Sequence, residues 1–420
     1  MENKKNESNQ KDSKEVDHTS IFSKEKINTG HQNEVDYLKT LGVFLMVTSH
    51  VYDSYSVGYP NDIIEFLSFI LGAAGFMFLM GLSTHYSRHQ SPKSYIARAL
   101  GLITIGQLFN IFRDTLPNLI AWWVTGRQPF IARAMQVIQA DILSFAGIAF
   151  IFLAIAKILK LSNNIILIIS FIMNIAAYPL FKIMKSPKNF LLSQLLGYFV
   201  LTDAESFFPF CSYFIFVAAG YWIGDHYQRI ANKDKLSNLI LIIFVPIVTL
   251  YYIIRSHFDI PFLPEYFSDE HYSLYPGPDA VITCMVNIIG LAFFHKIDIL
   301  LKGKTPEFVT HAGKNLNQYY IISYLFISQM EAFMIAYKGD HYPKEMKMPT
   351  LYAIMLLILC RIMIDFNDKY IHFTISTLKN PMRNIVFSLI WIASIILVIY
   401  IYPKIEVYAT FWNNYLRPLK

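Results

Sequence analysis

The chain has 420 residues, 54% of them hydrophobic and 16% aromatic, with only 16% charged and a formal net charge of +6. A soluble globular domain carries about a quarter charged residues, so this composition argues against a soluble enzyme. The basic residues are scattered through short segments between apolar runs and do not gather into a patch. That sets aside a nucleic-acid partner and fits basic loops at one face of a membrane.

In chain order, residues 1–34 are dominated by Lys, Glu, Asn, Ser and Asp and read as a disordered polar tail. The extreme N-terminus has no apolar core of a cleavable signal, so the first spanning helix is expected to act as the insertion signal. Apolar runs long enough to cross a hydrocarbon core of about 30 Å at about 1.5 Å per residue then recur. They fall at 36–56, 63–86, 96–112, 136–157, 163–183, 207–225, 238–254, 279–297, 317–337, 350–366 and 384–402. Lipid offers the backbone no hydrogen-bonding partner, so the runs must be helices. The expectation is an all-α bundle of about ten or eleven spans, one membrane domain over residues 35–405, and a short tail at 406–420. The stretch 190–201 and the pair Trp122–Trp123 suggest interfacial or re-entrant segments. Cys211, Cys284 and Cys360 lie far apart in or beside apolar runs and read as buried apolar residues, with no metal-site or disulfide spacing.

With the tail inside, the cytoplasmic loops hold Arg88 and Lys93, then Lys157 and Lys160, then Arg229, Lys233 and Lys235, and further on Lys296, Lys302, Lys304, Lys369, Lys379 and Arg383. The outward loop 255–278 is acidic, with Asp259, Glu265, Asp269 and Glu270 against Arg255. Three outward loops carry basic groups instead, at Arg113, Arg127 and Arg133, at Lys182, Lys185 and Lys188, and at Lys338, Lys344 and Lys347. The balance places the N-terminus in the cytoplasm of a cell-membrane protein.

Ionisable groups at membrane depth are costly and mark a pathway or a site. Lys39 and His50 lie eleven positions apart in the first helix, about 16 Å along its axis and on nearly the same face. Histidine is the side chain suited to take and return a proton near neutral pH; the plainer reading is an interfacial histidine bonded to a carbonyl. Asp53 and Asp62 follow, either orienting the imidazole or simply solvated. The glycines of Gly72–His85 read as close helix packing. His85, Arg88, His89, Lys93 and Arg98 form either a plain basic loop or a mouth able to hold phosphates. Gln107, Asn110, Arg113 and Asp114, with Gln136, Gln139 and Asp141, line a cavity or pair between helices. Asn315 caps a helix start.

Asp36-x-x-Lys39, an apolar helix and a terminal His50 resemble the opening of the acyltransferase-3 superfamily of membrane acyltransferases, which is marked by an arginine and a histidine with ten residues between them. Gly75–Ser83 followed by a basic turn and Arg98 is similar to that superfamily's second and third helices, and to relatives that acetylate lysosomal glucosamine termini. Asp141–Ala149, Ala219–Gly224 and Gly313–Tyr320 resemble later segments, so the likeness spans residues 34–400. Lysine stands at position 39 where the superfamily has arginine, and Arg98 lies between Ala97 and Ala99 where a paired arginine is usual.

The resemblance implies transfer of an acyl group, acetyl foremost, from cytosolic acyl-CoA to a hydroxyl of an extracytoplasmic or membrane-linked glycan, as in polysaccharide O-acetylation. His50 would act as general base or transient acyl carrier, tuned by Asp53, and Lys39, Arg88 and Arg98 would attract the CoA phosphates. No metal is implied; the partners are acyl-CoA, the glycan acceptor and membrane lipids. A second reading is a transporter or exporter of a glycan or lipid-linked intermediate, although the two halves show no repeat of the kind transporters carry. A third is an inactive scaffold in which Lys39 and His50 only pack.

Overall fold

The computed structural model describes residues 20–56, 62–184, 190–202, 207–258, 277–338, 346–371 and 380–406. Among them the chain is helical: α1 (Asn33–Tyr55), α2 (Asp62–Leu71), α3 (Ala73–Thr84), α4 (Pro92–Asn110), α5 (Leu116–Thr125), α6 (Gln128–Ala134), α7 (Ile142–Ile158), α8 (Asn163–Met184), α9 (Phe190–Gly197), α10 (Phe210–Tyr227), α11 (Lys233–His257), α12 (Gly277–Leu300), α13 (Glu307–Lys314), α14 (Leu316–Lys338), α15 (Pro349–Phe366) and α16 (Asn380–Glu406). Seven stretches among the described residues are long and apolar enough to cross a membrane. Their outer faces are apolar too: on α11 only Ser237 and Arg255 are buried, while Ile242 and Ile253 are 71% and 58% exposed. Such a surface is stable against lipid and not against water. The chain is an all-α polytopic membrane protein.

The glycines pack helices, as expected. α3 and α10 cross so closely that a Cβ on Gly81 would lie 2.1 Å from the Val217 carbonyl oxygen, and one on Gly220 1.8 Å from that of Phe78. Gly220 and Gly224 are four apart on one face of α10, the small-residue spacing that lets backbones touch in lipid. α4 and α7 meet in the same way at Gly147, against Ile103 and the Ala99 carbonyl. One core gathers α3, α7 and α10. A second joins the C-terminal half of α1 to α14 and α15, with Phe109 of α4 and Leu143 of α7.

Of the eleven expected runs, 36–56, 136–157, 207–225 and 317–337 are helical without being among the seven long apolar stretches, and two runs differ in their course. The run 96–112 does not end at Arg113: α4 passes through a π-helical turn, Ile111–Thr115, into α5, giving one 34-residue helix over Pro92–Thr125. The loop expected around Arg113 is thus inside a helix, and the Trp122–Trp123 pair ends that same helix. Pro117 has no N–H to give the carbonyl four residues back, which is the local reason for a wider turn there. The span expected from 136 begins only at α7, after a 3-10 turn at Met135–Ile138, because Asp141 caps α7 by accepting from the Leu143 and Ser144 amides at 2.9 and 3.1 Å.

The N-terminal tail is described from residue 20. It runs along the α10–α11 turn: the Ser23 amide donates to Arg229 O at 2.7 Å, those of Ile27 and Asn28 to Gln228 O, and Lys26 pairs with Asp225 at 2.8 Å. Residues 1–19, the acidic groups at 259–270, Lys185, Lys188, Lys344, Lys379, the tail after 406 and the side chain of Asp62 lie outside the described residues. Arg255 is not in a loop but on α11, buried and paired with Asp279 of α12.

Candidate functional site

α1 runs from one polar cluster to another. Its first turn, at the tail end of the bundle, buries Glu34 and Asp36. Glu34 bonds Lys233 Nζ at 2.6 Å and the Tyr227 hydroxyl at 2.5 Å. Asp36 takes His31 Nε2 at 2.9 Å and lies so close to Gly313 that a Cβ there would approach its Cγ to 2.7 Å. Lys39 is half-buried one turn on, with Asp36 the charge that acts on it most.

Beyond α3, at the same end, His85 is buried beside Tyr221, ring centres 4.3 Å apart, and its Nε2 has no hydrogen-bond partner among the described residues. Burial pushes its imidazole down to about 4 against a smaller upward pull from Asp225, and Lys26 and Lys157 add to the lowering. Arg88 and Arg98 are exposed; Arg98 donates to Ser87 Oγ at 3.1 Å and stacks on Phe150 at 5.1 Å. Lys39, Arg88 and Arg98 thus keep separate neighbours on separate elements. Lys26 and Lys157, which sequence reading did not group with them, lie around His85, Lys157 5.2 Å from the centre of the Tyr95 ring.

At the other end of α1, His50 is half-buried and its ring meets Tyr324 of α14 edge-on, centroids 4.3 Å apart. The opposite partner of Tyr324 is Arg113, whose guanidinium carbon stands 4.9 Å from its ring centre and 4.8 Å from that of Phe109. Arg113 is 3% exposed. It bonds Asp114 through Nε, donates to Gln139 Oε1 at 2.9 Å and faces Asp141 Oδ2 at 3.7 Å. Around it, Asn110 donates to Gln139 O at 3.1 Å, Gln107 to the Tyr198 hydroxyl at 3.4 Å, and Tyr198 to Ile138 O at 3.0 Å. Two carboxylates meet the Arg113 guanidinium here, and the charge of Arg133 also acts on Asp114; the cluster is held by side chains from α4, its π turn, the segment before α7, and Tyr198 just after α9.

His50 therefore sits at the rim of a polar cluster and Arg113 at its centre, near enough that the guanidinium charge acts on the imidazole. Asp53 is exposed on the last turn of α1, and its charge reaches Tyr324. Of the polar residues expected to line a cavity or pair between helices, Gln107, Asn110, Arg113, Asp114, Gln139 and Asp141 come together; the Gln136 side chain is outside the described set. Tyr324, Tyr320 and Tyr198 carried no sequence signal, since a tyrosine in an apolar run looks like core. Asn315 lies at the α13–α14 junction, where its carbonyl accepts from the Gln318 and Tyr319 amides at 2.9 and 3.0 Å.

Residues 32–253, more than half of the chain, match the family described as "Heparan-alpha-glucosaminide N-acetyltransferase, catalytic". The match covers α1 and both polar clusters apart from Lys26, His31, α13 and α14, and it lies with the glucosamine-acetylating relatives, not with acyltransferase-3 itself. No curated protein and no solved structure matches the chain.

Proposed function

From the premise that the chain belongs to the heparan-alpha-glucosaminide N-acetyltransferase catalytic family, and is thus a membrane acetyltransferase, we propose that it carries acetyl from cytosolic acetyl-CoA across the bundle to a hydroxyl of an extracytoplasmic or membrane-linked glycan. The observation that carries this reading is the half-buried His50 beside the Tyr324–Arg113 pair at the end of α1 remote from the tail. A thioester donor from inside and a sugar acceptor from outside need a site reachable from both faces, and the two polar clusters at the ends of α1 mark such a route. With the tail in the cytoplasm, His50 faces outward and His85 inward.

His50 takes the proton of the acceptor O–H as that oxygen attacks the thioester carbonyl. The C–O bond forms, the C–S bond breaks, and the departing thiolate receives the proton from the imidazolium. Lys39, Arg88 and Arg98, joined by Lys26 and Lys157 around His85, offer the charge to hold the donor's phosphates at the tail end. Asp53, three residues beyond His50, is the exposed carboxylate through which the acceptor side tunes the base.

A second reading takes the same step to an amine, which the family's description favours; the nucleophile is then a neutral amino group and the product an amide. The test is acetyl-CoA turnover by the purified protein in detergent, with hydroxyl and amino sugars as acceptors, wild type beside His50→Ala. Transfer by wild type and its loss in a folded His50→Ala protein support the reading. A fully active His50→Ala protein rejects the assignment of the base, and sugar movement without acetyl-CoA turnover turns the reading to transport.

A further inference from the structure

Three oxygens around Arg113 are buried and accept no hydrogen bond among the described residues: Gln107 Oε1, Asn110 Oδ1 and Asp141 Oδ2. Their residues are 2%, 0% and 1% exposed. Each side chain is otherwise pinned: Gln107 donates to Tyr198, Asn110 to the Gln139 carbonyl, and Asp141 caps α7 through its other oxygen. The nearest cation does not satisfy them. Arg113 spends Nε on Asp114 and NH2 on Gln139, its guanidinium carbon lies 4.8 and 4.9 Å from the Phe109 and Tyr324 ring centres, and NH1 stands 3.7 Å from Asp141 Oδ2, an ion pair beyond hydrogen-bonding distance.

A buried acceptor left without a donor costs about 1–3 kcal/mol, and three in one cluster are not kept for packing. These three can only accept, and the neighbouring Thr115 and Ser144 hydroxyls are also without a hydrogen-bond partner among the described residues, so the missing ligand offers several hydrogen-bond donors. The π turn at Ile111–Thr115 that swings Arg113 and Asp114 into this cluster is a deformation that recurs at functional sites.

We propose that Gln107, Asn110 and Asp141 form the acceptor-binding wall, taking the O–H or N–H hydrogens of a sugar and turning one of its nucleophilic groups toward His50. The proposal rests on the acetyl-transfer reading for its direction but not for its binding chemistry. Asp141 sets the specificity. Its free oxygen accepts from a hydroxyl and, as part of a carboxylate, favours an ammonium over a neutral group at that position. Arg113 is a positioning residue that holds Gln139 and Tyr324 in register with this wall.

Asp141→Asn is the sharpest variant, because asparagine also caps helices, although the substitution removes the charge facing Arg113 as well as exchanging the free acceptor for a donor. The full-length protein in detergent is titrated with methyl glucoside and methyl glucosaminide, following the shift in melting temperature, and the KM and kcat of acetyl transfer to the same probes. The expected result is a probe-dependent rise in melting temperature for wild type that is lost in Asp141→Asn. For transfer, KM for the probe rises at least tenfold while kcat falls far less, and the preference for the amino sugar over the glucoside declines. Gln107→Leu, which leaves Asp141 and the α7 cap in place, is expected to weaken both probes alike. No melting shift with either probe in wild type, or identical shifts and KM values in wild type and both variants, overturns the proposal and leaves the oxygens to buried water. Probe-dependent shifts that vanish in Asp141→Asn without any acetyl-CoA turnover in wild type uphold the wall and reject the acetyl-transfer reading instead.

Discussion

The two ends of α1 are built on opposite rules. At the tail end the charged groups are paired, Glu34 with Lys233 and Tyr227, Asp36 with His31 and Lys26 with Asp225, while the buried His85 Nε2 stays open. At the His50 end Arg113 bridges two carboxylates and three acceptor oxygens in one cluster remain open. The first arrangement fixes the tail segment and the helix ends to each other and leaves exposed cations at its rim. The second holds an incomplete hydrogen-bond network at membrane depth, which is the mark of a ligand site and not of a staple.

The largest effect separating the ends is catalytic. His50→Ala is expected to lower acetyl transfer by roughly 100-fold to 10,000-fold, the usual contribution of a general base, with the detergent elution profile unchanged; Lys39→Ala is expected to act on KM for acetyl-CoA instead. Equal kcat losses in the two variants would erase the distinction. Next comes Arg113→Met. It leaves Asp114 and Asp141 buried without their cation and is expected to cost about 3–5 kcal/mol, seen as a large fall in melting temperature, and adding Asp114→Asn should recover part of it.

Between the ends, Gly220→Ala drives a methyl group into the Phe78 carbonyl of α3 and is expected to cost about 1–3 kcal/mol by overpacking. Gly126→Ala, where a Cβ would meet open space, controls for a general effect of added bulk, although its positive φ of 68° carries its own strain.

His85 gives the tail end a pH signature. Its imidazole is lowered in the folded protein to about 4 by burial, so the unfolded chain takes up the proton first as pH falls. Stability is therefore fully kept above the unfolded value of about 6.5 and drains away between there and about 4. The melting-temperature difference between wild type and His85→Gln is expected to follow that window; a flat difference from pH 7 to 4 contradicts it. The smallest effect belongs to Arg98→Ala, an exposed cation on the outer face of α4, expected within about 0.5 kcal/mol in stability. Any consequence it has should appear in donor binding and fade with salt.

The membrane class, the helical content, the packing role of the glycines and the spans expected at 163–183, 238–254, 279–297, 350–366 and 384–402 were legible because they follow from length, apolarity and residue size alone. His50 was legible because an ionisable group inside an apolar run is conspicuous. Arg113 was visible but misplaced. A run interrupted by Arg-Asp and followed by Pro117 reads as a loop, since nothing in the order of residues shows that Gln139 and Asp141, more than twenty positions later, return to bond the arginine and allow the helix to continue through a π turn. Tyr324 was invisible for the same reason, being an aromatic in an apolar helix until His50 and Arg113 flank it.

By itself, then, the sequence determined that this protein lies in a membrane as a helical bundle with polar groups at both ends of its first helix. Hydropathy and helix length are local quantities, readable one segment at a time. Only the tertiary structure decided which of those polar groups meet. The pairing of His50, Tyr324, Arg113 and Asp141 depends on how α1, α4, α7 and α14 approach one another, and the approach of α4 to α7 is set by close packing at Gly106 and Gly147, whose partners lie on the facing element.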